Sequence, residues 1–197
     1  MTTFIYNRAR SQEECVAAKS KLKDFYRWKY GHPPPQDWTV DHQVEQAPNY
    51  YERFGPKLIH DPYNMLMVPR EVNVAKNIAY GRRWNQMSAK VRALGRDFVP
   101  HEQSSEGIPN VRDYAYCRSE FLGDEDAWHF LTDLSKAMLR DVIAELEDTW
   151  WKEKVPEWMA KYPRWLLRLK SDLDNHIEHL LEYERHCARR ASLRGTG

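Results

Sequence analysis

Val40-Asp41-His42-Gln43-Val44, Asp61-Pro62-Tyr63-Asn64-Met65-Leu66-Met67-Val68 and Arg70-Glu71-Val72-Asn73-Val74-Ala75-Lys76 are the stretches on which the reading of this chain turns. Trp38-Thr39-Val40 reads as an extended segment that runs into the Asp41-His42 pair. Met65–Val68 is a compact apolar run bounded by Asn64 and Pro69, which fits a short strand. Pro69 suits a helix start, because the N–H it lacks would have no intrahelical partner there, and Val72 and Ala75 give that helix an apolar face. Asn73 and Lys76 stand one turn apart on it. Between His42 and Asn64 lie 21 residues, and 45–63, with Pro, Asn and Gly and no clear period, read as a long loop.

The pattern outside these stretches is helical. Residues 3–6 (TFIY) fit a short strand. Ser11-Gln12-Glu13-Glu14 is a capping-box pattern, and Cys15, Ala18, Leu22, Phe25 and Tyr26 continue at helical spacing until Gly31 and Pro33-Pro34-Pro35 stop the helix near Tyr30. A second helix is expected from Arg82 to Leu94. Residues 97–113, with Pro100, Gly107 and Pro109, read as a linker. Asp124 can cap a helix whose apolar positions are Trp128, Leu131, Leu134, Met138, Val142 and Leu146. Pro156 and Pro163 punctuate two more, the last reaching towards Arg190. No internal repeat is present. The expected class is α+β and mostly helical, divided into an N-terminal helical segment (1–35), a small αβ core (36–96) and a helical C-terminal region (97–197).

Composition narrows the classes. With 197 residues, 30 Lys and Arg against 29 Asp and Glu, and 42% apolar residues, the chain is neither collagenous nor low-complexity. No apolar run approaches the ~18 residues of a membrane span. The start, MTTFIYNRARSQEEC, lacks the apolar core of a secretory signal. The expectation is a soluble chain that works in the cytoplasm, with delivery from another cell compatible with that. Cys15, Cys117 and Cys187 are scattered, so neither a disulfide framework nor a zinc knuckle is expected. The net charge of +1 conceals an asymmetry. Residues 64–96 carry seven bases against Glu71 alone, and residues 120–184 carry 16 acids against eight bases. A polyanion would therefore meet only the middle of the chain, unless these blocks are simply solvated faces.

The order Asp41-His42, Asn64, Asn73, with Lys76 three residues further on, resembles the HNH nucleases, whose ββα-metal unit is a two-stranded ribbon packed on one helix. It is most similar to the Asp-His/Asn/Asn version found in the HNH domains of CRISPR effector nucleases. The resemblance spans about 37 of the 197 residues, and Glu45 stands where such motifs often have proline. It implies a ββα-metal unit embedded among flanking helices, and an endonuclease that hydrolyses phosphodiester bonds in DNA, duplex DNA above all. It also implies that Asn64 holds the loop presenting Asp41 and His42. The family occurs in bacterial toxins, phage and mobile-element nucleases, and defence systems. A toxin would bring an immunity partner and a defence nuclease a regulatory one.

The residue chemistry fits that implication. Asp41 and Asn73 are hard oxygen donors, suited to Mg²⁺ or Mn²⁺ rather than zinc, and two protein ligands leave positions open for water and phosphate. His42 is the expected general base, with an imidazole that titrates near working pH. Asn64 suits backbone hydrogen bonding rather than proton transfer. Lys76, with Arg70, Arg82 and Arg83, is expected to contact phosphate. Glu71 is a candidate second metal carboxylate and His60 a candidate substrate contact. No other cofactor is implied. Two other clusters read as structural. His176, His179 and His186 fit a solvated charged face better than a metal site, and Trp150, Trp151, Trp158 and Trp165 fit a helical core or protein interface. The competing readings are a non-catalytic nucleic-acid or protein-binding module of HNH-like shape, and a helical adaptor in which the 40–76 pattern is coincidence.

Overall fold

The computed structural model describes residues 8–95, 109–153 and 163–194, and it is α+β and mostly helical. The expected strand at 3–6, most of the 97–113 linker, Pro156 and the side chains of Trp150, Trp151, Trp158 and Trp165 lie outside the described residues. Helix α1 (Arg8–Tyr30) begins ahead of Ser11, so the capping-box residues lie inside it. Arg and Ala before Ser11 are good helix formers and carry it upstream. Ala18, Leu22, Phe25 and Tyr26 form its buried stripe. It ends as expected at Gly31, whose φ of 77° few side chains tolerate and whose N–H closes on the Arg27 carbonyl at 2.9 Å.

Strand β1 (Trp38–His42) pairs antiparallel with β2 (Met65–Pro69), placing Asp41 opposite Leu66 and His42 opposite Met65. All five β2 residues are buried. Covered on both faces, β2 reads as a continuous apolar run rather than an alternation. The segment between the strands is not one long loop. It holds α2 (Pro48–Phe54), the single turn α3 (Pro56–Ile59) and a 3-10 turn at Pro62–Asn64. Each opens on a proline at a first-turn position, where the missing N–H costs nothing. Gly55, at φ 78°, makes the corner between α2 and α3. The prolines that suggested irregular structure are helix starts, and pieces this short show no period.

Helix α4 (Arg70–Tyr80) follows β2 directly and buries Val72, Lys76, Ala79 and Tyr80 against the hairpin and α7. The expected helix over 82–94 is instead a 3-10 turn at Trp84–Gln86 and the short α5 (Ala89–Ala93). Ser88 breaks the run, its hydroxyl accepting from Val91 N at 3.3 Å and capping a new helix. Trp84 stacks on Tyr114, with ring centroids 3.6 Å apart. Asn110 caps α6 (Val111–Glu120), accepting from Asp113 N at 2.8 Å. Helix α7 (Asp124–Glu153) buries Leu131, Leu134, Met138 and Val142 as expected, with Trp128 and Leu146 half-buried. Asp124 is its first residue and takes Arg53 Nε at 2.8 Å instead of capping. Helix α8 (Pro163–Arg194) packs on α1. One apolar cluster runs from Ala18 through the hairpin to Leu180, so all three segments of the chain share a core.

The histidines of α8 belong to that interior rather than to a solvated face. His176 is buried, its Nε2 3.0 Å from the Pro62 carbonyl and its ring edge-on to Phe25. His179 Nδ1 lies 3.4 Å from Asp172, and His186 packs on Trp28. A 3.6-residue helix turns a charged-looking stripe inward when its partner helix supplies aromatics and hydroxyls, which no single-helix pattern reveals.

Candidate functional site

Asp41, His42 and Asn73 line one cleft of about 460 Å³, together with Glu45, Gln46, Lys76, Asn77, Tyr80 and Arg112. The strand and the helix bring them there for simple reasons. Asp41 and His42 are consecutive on β1, so their side chains leave opposite faces. Asp41 turns to α4 and α7, while His42 turns to the segment between the strands. Asn73 and Lys76, three apart on α4, share one helical face over the hairpin.

Asn64, 1% exposed, staples both ends of the inter-strand segment. Its Oδ1 accepts from Val44 N at 2.8 Å, and its Nδ2 donates to the carbonyls of Val44 (3.1 Å) and Ile59 (2.9 Å). Its own carbonyl accepts from Gln43 N at 2.8 Å. An amide side chain matches this mixed set of donors and acceptors, which a carboxylate could not.

Two buried polar rings surround Asp41 and His42. In the first, Lys76 Nζ donates to Asp41 Oδ2 (2.6 Å), Ser135 Oγ (2.6 Å) and the His42 carbonyl (3.4 Å). Ser135 donates onward to Gln43 Oε1 at 3.2 Å, and Gln43 Nε2 closes the ring on Asp41 Oδ2 at 2.9 Å. All three ammonium hydrogens are used, the condition under which a buried cation is tolerable. Burial pushes the Asp41 carboxyl up, and Lys76 partly offsets this. Both side-chain bonds fall on Oδ2, leaving Oδ1 without a hydrogen-bond partner among the described residues.

In the second ring, Gln46 Nε2 donates to His42 Nδ1 (3.0 Å), which sets the proton on His42 Nε2, facing His60 Nδ1 at 3.2 Å. His60 Nε2 in turn meets Tyr51 Oη at 2.9 Å, and Tyr51 donates back to Gln46 Oε1 at 3.2 Å. Four side chains thus form a closed circuit in which every donor points the same way round, an arrangement that strengthens each bond. Burial, with lesser help from the charges of His60, Lys19 and Lys76, lowers the His42 pKa to about 3. The expectation that His42 titrates near working pH is therefore corrected: it is neutral there, and both ring nitrogens are engaged.

The basic residues also depart from expectation. Lys76, 2% exposed, is the counter-ion of Asp41 and presents no ammonium to a phosphate. Arg82 forms a two-pronged ion pair with Glu145 on α7, at 2.7 and 2.8 Å. Arg70 and Arg83 are exposed and lie outside the cleft wall, as does half-buried Glu71. The basic middle and the acidic helical half thus meet at one surface ion pair, Arg82 with Glu145, where the chain after α4 runs along α7.

The cation at the cleft is instead Arg112 on α6, which contacts Glu45 at 2.9 and 3.0 Å and lies over the Tyr80 ring at 5.3 Å. Nothing in the sequence marks Arg112, since α6 reaches the hairpin only through tertiary packing. Gln46, Tyr51 and His60 sit in the segment read as loop, where only His60 stood out. Asp41 Oδ1 and the Asn73 amide, which accepts weakly from Asn77 at 3.4 Å, are the hard oxygen donors on the cleft. They fit a divalent ion that keeps most of its waters. Compared with protein-family models, with curated proteins and with solved structures, the chain matches none.

Proposed function

We propose that this protein is a metal-dependent endonuclease of the HNH type that hydrolyses phosphodiester bonds in DNA. The observation that carries the reading is the convergence of Asp41, His42 and Asn73 on one cleft, from a strand and a helix joined by an antiparallel hairpin. A strand-strand-helix unit with this residue order is the frame that the sequence resemblance implies, and Asn64 supports it by fastening the segment that follows His42.

Asp41 Oδ1 and Asn73 would hold Mg²⁺ or Mn²⁺, and the ion when bound supplies charge neutralisation at the phosphate and at the leaving oxygen. His42 acts as general base on a water that displaces Gln46 from Nδ1. At a pKa of about 3 the buried imidazole is unprotonated but a weak base, so the role requires that Gln46 move aside and water enter, which relieves the burial that depresses it. Lys76 holds Asp41 in place, and Arg112, released from Glu45, meets the phosphate backbone. The exposed Arg70 and Arg83 extend the contact along DNA without reading bases.

The test is conversion of supercoiled plasmid to nicked or linear form with Mg²⁺ or Mn²⁺, alongside EDTA and His42→Ala controls. Cutting that requires the ion and is lost in His42→Ala is the expected result. A plasmid neither cut nor bound overturns the proposal. The engagement of both His42 nitrogens favours one competing reading, a binding module that keeps the shape without the chemistry. That reading predicts salt-sensitive DNA binding with no cutting under any divalent ion.

A further inference from the structure

Behind the cleft, on the far side of His42 from Asp41, three metal-ligating side chains from three separate elements meet. Cys15 of α1, His42 of β1 and His60 after α3 place one ligand atom each within 4.8 Å of one another. We infer that Cys15, His42 and His60 form a binding site for a thiophilic divalent ion of the zinc class.

Several features support a built site rather than a chance cluster. His42 Nε2 and His60 Nδ1 are 3.2 Å apart. That is close to the roughly 3.3 Å between two nitrogens held 2.0–2.1 Å from one tetrahedral zinc. The other nitrogen of each imidazole is held by a protein group, Gln46 on His42 and Tyr51 on His60. A ligating histidine donates its other N–H to an acceptor, which Tyr51 Oη provides for His60 as it stands and the Gln46 amide provides for His42 once it turns. Both histidines are buried and Cys15 is half-buried, so the set is preorganised yet reachable. Two nitrogens and a thiolate are a donor set for zinc or cobalt rather than for Mg²⁺, and three protein ligands leave one position open.

The proton accounting closes without a redox partner. The His42 proton moves from Nε2 to Nδ1 as the Gln46 amide turns its oxygen to accept it. The His60 proton stays on Nε2 towards Tyr51. Cys15 loses its thiol proton to solvent, so one proton is released for each ion bound. The bound ion ties α1 to the hairpin. Because His42 would serve both sites, an ion here and base catalysis at the cleft exclude one another. That corollary rests on the endonuclease reading, whereas the ion site itself does not.

The experiment is titration of the full chain with Co²⁺ as optical probe, followed by displacement with Zn²⁺. Uptake of one equivalent is expected, with a thiolate-to-cobalt charge-transfer band and the visible bands of tetrahedral cobalt, both abolished by Zn²⁺. Cys15→Ser and His60→Ala should each remove the charge-transfer spectrum of the bound species, while serine at the exposed Cys117 and Cys187 leaves it intact. Tyr51→Phe should weaken uptake about 10-fold. Absence of the charge-transfer band, or its survival in Cys15→Ser, overturns the site. Cys15→Ser is nearly isosteric, so matching metal-free melts of it and the parent chain hold the fold constant even if His60→Ala does not fold. A protein that shows the band and never cuts plasmid keeps this site and loses the endonuclease reading. One that cuts without ever showing the band does the reverse.

Discussion

Among the described residues two aspartates are buried, and their surroundings differ. Asp41 (5% exposed) is matched by a buried ammonium with all three hydrogens placed, and it borders an open cleft. Asp172 (1% exposed) sits between α1 and α8, where it accepts from Tyr30 Oη at 2.5 Å and Tyr26 Oη at 3.4 Å, with His179 beside it. Burial raises the pKa of both carboxyls. Where a carboxyl joins two helices, two tyrosine hydroxyls bond it, and the charges of Lys29 and His179 act on it from nearby. A buried ammonium bonded directly to the carboxylate is found where that carboxylate keeps one oxygen free beside an open cleft. A buried carboxylate with an unpartnered oxygen on a cleft is a site candidate, whereas one bonded by hydroxyls between two helices is a packing feature.

Breaking the cleft pair should have the largest effect. Lys76→Met leaves Asp41 buried without its counter-ion and should cost about 3–5 kcal/mol of stability in denaturant unfolding. Lys76→Met with Asp41→Leu should recover most of that loss, because no uncompensated charge remains. A single-variant cost no larger than that of a surface ion pair would show that the ammonium is not what holds Asp41.

Next in size is a pH effect on the closed side. Burial, the largest cause, lowers His176 to about 4, with smaller contributions from Lys136 and His179. In the unfolded chain it titrates near 6.5, so between these values the unfolded state binds more protons, and stability falls as pH drops. At pH 5 His176 alone is expected to cost about 2 kcal/mol relative to pH 7, and His42, lowered to about 3, adds a similar amount. Melting temperatures measured across this range should fall less steeply in His176→Asn. An unchanged slope would remove His176 as the cause.

The smallest effect sharpens the contrast. Tyr30→Phe removes the short hydrogen bond to Asp172 but leaves Tyr26 and His179 in place, and should cost about 1 kcal/mol. A loss as large as that of Lys76→Met would mean that Asp172 is as dependent on one partner as Asp41, and the distinction drawn between them would fail.

What could be read from the chain follows from the range of the interactions involved. The α1 stop at Gly31, the apolar β2, the α4 start after Pro69 and the buried stripe of α7 rest on residues within a few positions of one another. The helices α2 and α3 were illegible because four to seven residues show no period, and their prolines look alike as loop formers and helix starters. The break at Ser88 leaves no separate mark in the sequence, because the hydroxyl that ends one pattern opens the next.

The residues able to do chemistry stand out along the chain: an Asp-His pair after an extended run, an asparagine before an apolar strand, and an asparagine on the helix beyond. The mostly helical α+β class is equally legible there, since periodicity and prolines are local properties. Which groups face which is settled by packing. Lys76 became a buried counter-ion, Arg82 an ion-pair partner of α7 and Arg112 a cation at the cleft, while Cys15 met His42 and His60 from a separate helix. Charge on a linear chain has a sign and a position, but its role is set by what lies within about 4 Å, and packing brings those neighbours from far along the chain.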